Sequence, residues 1–570
     1  MEPKIGKFFA NINNENFVKN IKLLEWYYMK DFFFLFEKYN LYNRIYWSEI
    51  KVLLNQNIIH IMYLLLNKKT VIQYTTEIRQ ELLSDPVNAE LFLHNLMPNL
   101  SGSNIKYIFP RSIGNEDVQN LFLAYINSSH PNMNYLRHIK NYPNGSSEYN
   151  ISKELQYNAQ LRLIELEKEV FCSENCGIKT SVEISFQEID TIIKEEINGL
   201  NFKLTYNSKW IEENKCHQEI LANFINLFQY MNRLFQINLF SKPNECSVIE
   251  RASSSNLKSD YDANSVFILK NVIADLQILA YSKKLRDYDT DIEKTIEWFF
   301  KEYLVDNYNI HNFQISLSKN HNNYYEMCKS IAPEIESVAK QYQIFVEKGE
   351  VDQRYISSVN PTVIYQKIPS ATKMKYAYSS SNDLENIMFL LFSNQSSLTF
   401  VPEYGDIEKS FVSLMLNRNP CIDDFEKYQM HKIEYLLDKK IIEVNRLNGT
   451  LNFVDDCMIT ILKNLFDYGF LCIQNYSNKY KDIIISMIAD GYLLAEDTLL
   501  SKQEAAYFNY YLNSSEFSNS KDLRNKYTHG SSGTRGEINE RDYYSLLKIL
   551  ILLMLKIDDD IRFLHNTDNT

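Results

Sequence analysis

The stretch from Tyr543 to Ile557 constrains the fold of this chain more than any other, because it is apolar on almost every face of a helix. Tyr543, Leu546, Leu547, Leu550, Met554 and Ile557 recur at three- and four-residue steps, the stripe of a core-facing helix. Ile549, Ile551, Leu552, Leu553 and Leu555 add apolar surface on the other faces. Such a helix needs burial on more than one side, either in its own domain or partly against another protomer. Asn539 can cap it, with Asp542 in the first turn. Lys548 and Lys556 interrupt the run, and no uncharged apolar segment reaches the about 18 residues of a membrane span. Beyond it, Asp558-Asp559-Asp560 reads as a solvated helix end in preference to a metal site.

A chain of 570 residues exceeds one ordinary core, and its 45% hydrophobic and 23% charged content is that of a globular protein. The expected class is mainly α and multi-domain. Residues 1–140 read as a helical N-terminal domain, with stripes Phe17, Ile21, Leu24, Tyr28 and Ile50, Leu53, Leu54, Ile58. Asp85-Pro86 should open a short helix, Phe32-Phe33-Phe34 should lie in the core, and residues 141–147 suggest a linker or loop. Residues 150–375 form a mixed, mainly helical middle portion. There a helix over 152–170 precedes a small sheet carried by Val182, Ile184, Phe186 and the Asn198-Gly199 turn before Phe202 and Leu204. Further helices are expected over 220–235, 266–279 and 292–304, the last capped by Asp289 or Asp291.

Residues 385–570 make the C-terminal region. A helix over 424–437, then Ile441, Ile442 and Val444, then Asn448-Gly449, then Leu451 and Phe453, outlines a winged-helix element. Without a basic recognition helix, it reads as a packing or dimerisation module ahead of DNA reading. From Asp455, the residues Met458, Ile459, Leu462, Leu465 and Phe466 mark a further core-facing helix.

Between these segments lies Leu523-Arg524-Asn525-Lys526-Tyr527-Thr528-His529-Gly530. Arg524 can hold an anionic phosphate at any physiological pH, and His529 can exchange protons near neutrality. Five steps rotate a helix by about 500°, leaving the two side chains roughly 140° apart, so one regular helix cannot easily bring both to one phosphate. A two-fold axis beside the segment would gather both residues from both chains.

This segment resembles the RNxxxHG signature of HEPN domains, a helical superfamily rich in ribonucleases of prokaryotic defence and toxin systems. The resemblance covers about residues 450–565 and implies a HEPN-like helical bundle, a homodimer or higher oligomer, and a catalytic cleft shared between protomers. It implies metal-independent cleavage of RNA: the 2′-hydroxyl attacks the adjacent phosphorus, His529 moves a proton, and Arg524 stabilises charge on the phosphoryl oxygens. Asn525 would orient His529 or contact phosphate, and Tyr527 either supports the site or packs. Lys521, Lys526 and Arg535, with Arg541 nearby, would supply RNA-binding charge; singly, Lys521, Arg535 and Arg541 read as well as solvated loop charges. By analogy the setting is antiphage abortive infection, with the upstream portion sensing a phage-derived or nucleotide trigger, or regulating. The alternatives are a noncatalytic HEPN-like scaffold, or a HEPN protein acting with a separate nucleotidyltransferase.

The formal charge of −12 and pI of about 5.5 argue against a surface coated in basic residues, though not against a local basic slot. The 40 Tyr and 33 Phe read as core filling, not stacking platforms. The chain has no GxxxxGK[ST], HExxH, GxSxG or strand-borne GxGxxG pattern, so neither cofactor nor catalytic metal is expected. Cys172, Cys176, Cys216 and Cys246 lie in one region with His217 but lack paired CxxC knuckles, and reduced thiols are the plainer reading. The opening residues lack the apolar core of a signal peptide, which points to a cytoplasmic protein without membrane association.

Overall fold

The computed structural model describes the chain except for residues 1, 98–105, 146, 172–179, 247–249, 251–255, 319–320, 322, 359–362, 406, 529–535 and 569–570. It is mainly helical, 61% helix against 9% strand, so the sheets serve as local struts and the cores are built from helices. The chain separates into two compact units, Met1–Ile178 with Arg251–Asp260, and Lys179–Glu250 with Tyr261–Thr570. The divisions expected near 140–150 and 375–385 are finer than this partition.

The first unit is wholly helical in its described parts. Its helices include Asn14–Lys22, Met29–Lys38, Trp47–Asn55, Asn115–Ile126 and Lys153–Phe171, around a core that holds Phe17, Phe33, Phe36, Leu53 and Phe122. Asn13 starts the first of these by accepting from the Asn16 amide at 3.2 Å. That helix stops at Lys22, so the expected stripe keeps Phe17 and Ile21 inside but leaves Tyr28 exposed. Asp85 caps Pro86–Asn88 through the Val87 amide at 3.0 Å, as its sequence suggests. Of the phenylalanine run, Phe32 and Phe33 are buried and Phe34 faces out. Residues 141–147 fall within this unit, with Tyr142 buried, so they form a loop of the unit and not a linker between units.

In the second unit, strands β1 (Ser181–Gln187), β2 (Ile193–Asn198) and β3 (Asn201–Asn207) form a sheet of order β1-β3-β2. The β2–β3 hairpin turns at Gly199, whose φ of 62° is the left-handed conformation such a turn requires. Helix α1 (His217–Asn226) ends earlier than the apolar pattern suggests, because Gln229 and Phe235 take left-handed backbone and the chain loops back on itself. Helix α2 (Ser265–Arg286) and helix α3 (Tyr324–Lys348) follow. Between them Asp291 caps Ile292–Trp298 through the Lys294 amide at 2.6 Å.

A second core of this unit gathers residues from Ala377 to Leu493. It contains helix α4 (Lys427–Asp438), strands β4 (Ile442–Val444) and β5 (Leu451–Phe453) paired antiparallel, and helix α5 (Asp456–Tyr468), capped by Asp455. The helix-plus-hairpin outline is therefore present, with Gly449 at φ 74° in the turn. Helix α5 packs here and not in the core of the final helix.

The larger core surrounds helix α8 (Gly536–Asp568), with helix α6 (Lys502–Leu512), the short helix α7 (Leu523–Thr528), α2 and α3 packed against it. Every residue of α8 from Tyr543 to Ile561 is buried within this one chain. The cover that its all-round apolar surface demands thus comes from its own unit. Lys548 meets Asp275 of α2 at 2.6 Å, and Lys556 meets Glu504 of α6 at 3.1 Å. The aspartate triplet is buried too, contrary to the solvated end expected. The helix runs on past it, and Lys375 lies 2.8 Å from Asp560 while Arg562 lies 2.5 Å from Asp558. Among the described helices, α2 alone has the length and apolarity to cross a membrane, and its buried face carries Asn271, Asp275 and Gln277.

Candidate functional site

Helix α7 carries the first half of the arginine-histidine segment. Leu523 and Tyr527, one turn apart, are buried and anchor it, which turns Arg524, Asn525 and Lys526 toward the margin of the core. Asp522, in left-handed backbone at φ 49°, redirects the chain into the helix, and its carbonyl accepts the Lys526 amide at 3.0 Å.

Four polar side chains then join in a line. Glu336 of α3 holds Arg524 by Oε1 to Nε at 3.1 Å and Oε2 to Nη2 at 3.4 Å. Arg524 Nη1 donates to Asn525 Oδ1 at 2.8 Å, and Asn525 Nδ2 donates to Asp522 Oδ1 at 2.8 Å. Burial raises the Asp522 carboxyl, with the Asn525 hydrogen bond opposing. Behind the line, the buried Tyr365 hydroxyl has no hydrogen-bond partner. Burial, then the charge of Glu336, pushes that phenol well above its usual range, and Arg524 opposes.

The other expected site residues separate. Tyr527 is a packing residue: its hydroxyl donates to Asn539 Oδ1 at 2.9 Å and meets Asp542 Oδ2 at 2.8 Å, and its ring is buried beyond reach of a base. Lys526 is ion-paired with Asp542. Asn539 and Asp542 therefore tie helix α8 to helix α7; the helix already begins at Gly536, so Asn539 lies inside it and is not the cap expected from the sequence. His529 and Arg535 lie outside the described residues, as do Gly530 and residues 531–533.

Lys521 belongs to a separate cationic group. Although exposed as a residue, it places Nζ 4.5 Å from the centre of the Tyr511 ring, and Lys548 Nζ lies 4.7 Å from the same ring. Lys548 also donates to Asn271 Oδ1 at 3.0 Å and contacts the Tyr511 hydroxyl at 3.2 Å. Burial lowers its ammonium to about 8; Asp275 opposes, while Lys521 and Arg541 push the same way. A cavity of about 280 Å³ opens beside this group, lined by Val272, Asp275, Leu279, Glu540, Arg541 and Tyr544. Lys521 and Arg541 add positive charge beside the buried Lys548–Asp275 pair, and Glu540 in the same lining offsets part of it.

Sequence reasoning missed Glu336, Tyr365 and Asp275, which lie far from the motif and carry no local signature. Among the described residues no group of three or more His, Cys, Asp or Glu could hold a metal ion. Cys216 is exposed and Cys246 half-buried, neither in a disulfide, while Cys172 and Cys176 lie outside the described residues. Comparison with protein-family models, curated proteins and solved structures finds no match.

Proposed function

We propose that this chain is a metal-independent RNA endonuclease of HEPN type, acting as a toxin in antiphage defence under the control of its upstream portion. The observation that carries the reading is the seating of Arg524. Its guanidinium sits in a line of hydrogen bonds with Glu336, Asn525 and Asp522, directly ahead of His529 and Gly530 in sequence. The exposed cations Lys521 and Arg541, near the buried Lys548, add local positive charge to an otherwise acidic chain, which suits a phosphodiester strand.

In this reading Arg524 neutralises charge on the phosphoryl oxygens as the 2′-oxygen bonds to phosphorus and the P–O5′ bond breaks. His529 takes the 2′-hydroxyl proton or gives one to the leaving oxygen, and its counterpart in a second protomer does the converse. The products are a 2′,3′-cyclic phosphate and a 5′-hydroxyl, and Asn525 orients the guanidinium. RNA cleavage in EDTA that is lost in both Arg524→Ala and His529→Ala, with the oligomer intact, is the expected outcome. Equal cleavage by all three proteins overturns the reading. The second reading, a noncatalytic scaffold, draws on the same ion pair: a guanidinium already matched by Glu336 needs no phosphate.

A further inference from the structure

At the far end of α8, about 30 Å along the helix from Arg541, a cavity of about 370 Å³ opens that the nuclease reading does not use. Its volume falls within the range of about 300–1,000 Å³ typical of small-molecule sites. One wall is apolar: Leu221, Ala222 and Ile225 from a single face of α1, with Phe235 and Leu555. This wall is half-exposed except for the buried Leu555, and it offers a flat ring a surface to lie on.

Two polar groups in the cavity have their bonding incomplete. Asp558 is 4% exposed; its Oδ2 is taken by Arg562 at 2.5 Å, but Oδ1 has no hydrogen-bond partner and water scarcely reaches it. The Tyr303 hydroxyl, 3.4 Å from that of Tyr308, is near enough to ease the burial of this carboxyl, yet it does not meet Oδ1 in hydrogen-bond geometry. A buried acceptor left without a donor is costly, and a ligand N–H can recover that cost. Arg233, at the exposed rim, has neither a hydrogen bond nor an ion pair among the described residues. Arg562 is committed to Asp558, so Arg233 is the cation available to an entering anion.

An apolar wall, an acceptor that needs a donor and a guanidinium that needs an anion together select a flat, amino-bearing heterocycle joined to an anionic group. We infer that this cavity binds a nucleoside monophosphate whose base carries an exocyclic amino group, with the amino N–H donating to Asp558 Oδ1 and the phosphate meeting Arg233. One accepting oxygen asks for one N–H, which the exocyclic amino group of adenine or cytosine supplies and which the carbonyl at the same position of hypoxanthine or uracil cannot. The site is independent of the nuclease reading and stands or falls separately from it.

Calorimetric titration of the full chain with AMP, IMP, CMP, UMP, adenosine and inorganic phosphate tests this. AMP or CMP should bind at least about tenfold more tightly than its partner IMP or UMP, because a carbonyl facing the carboxylate leaves two acceptors opposed. Arg233→Ala should weaken the preferred nucleotide by about tenfold or more without changing the melting temperature of the free protein. Ala222→Trp, which fills the cavity from its rim, should abolish binding. Equal binding of the amino and carbonyl bases, phosphate binding as tightly as the nucleotide, no binding of any nucleotide, or unchanged binding in both variants each overturns the inference.

Discussion

The Arg524 guanidinium faces the Glu336 carboxylate across the gap between α7 and α3, Nε to Oε1 at 3.1 Å and Nη2 to Oε2 at 3.4 Å, with its remaining terminal nitrogen on Asn525. A planar fork can keep these bonds while offering other N–H groups to a phosphate, and an ammonium cannot. Arg524→Lys should therefore retain charge and fold yet lose RNA cleavage by about 10²-fold or more, the scale seen for removal of one transition-state donor. Product analysis under single-turnover conditions would check it, and a variant within threefold or so of wild type would reject a transition-state role for the fork.

Lys521 and Arg541 flank Asp275 and the inward-pointing Lys548 at the 280 Å³ cavity. If they contact the RNA backbone, Lys521→Ala and Arg541→Ala should each weaken binding evenly across sequences. Each should also reduce the slope of log affinity against log salt by about 1. Filter binding with a cleavage-dead His529→Ala chain over a salt series measures that slope, and unchanged slopes would remove both residues from the interface.

How far the sequence reached depends on whether its signals are local. The all-round apolar pattern of Tyr543 to Ile557 correctly demanded a fully buried helix, and the Asn198-Gly199 and Asn448-Gly449 turns marked both hairpins. The partners of that helix were not legible. Helix α3 runs for 25 residues through Pro333, a residue that reads as a helix stop, and it delivers Glu336 to Arg524 from 188 positions away. The aspartate triplet misled for a related reason. A carboxylate run looks solvated until the cations that meet it are known, and Lys375 comes from a different part of the chain. Lys526 looked available to RNA for the same want of its partner, Asp542.

Glu293 is fully buried, takes a hydrogen bond from the Tyr543 hydroxyl at 2.5 Å on Oε1, and has no partner on Oε2. Burial raises its carboxyl, with the Tyr543 hydrogen bond opposing. A carboxyl raised in the folded state contributes its full stability below the unfolded value of 4.5 and loses it as pH climbs through the folded value. Glu293→Gln, which carries no charge, should thus be more stable than wild type at pH 7.5 by about 1 kcal/mol, and the advantage should shrink toward pH 4. Urea unfolding at the two pH values reads the difference; an advantage that grows on acidification would contradict a carboxyl raised by burial.

Asp560 poses the opposite case. It is fully buried, yet Lys375 Nζ at 2.8 Å, Ser370 Oγ at 2.6 Å, the Ala371 amide at 2.7 Å and the Tyr342 hydroxyl all converge on it. Burial alone would raise its carboxyl, but Lys375 and these hydrogen bonds outweigh that and hold it below the unfolded value of 3.8. A lowered carboxyl contributes stability that is present above the unfolded value and lost as pH falls through the folded one. Lys375→Met removes the cation and leaves a buried carboxylate held only by neutral donors, which should cost about 3–5 kcal/mol at pH 7. Adding Asp560→Asn to that variant removes the stranded charge and should recover part of the loss, while Asp560→Asn alone leaves the Lys375 ammonium with the more distant Asp559, at 4.0 Å, as its counter-charge. Denaturant unfolding of all four proteins closes the cycle. Purely additive effects would mean that the two groups do not stabilise one another and that α8 is held here by its apolar contacts alone.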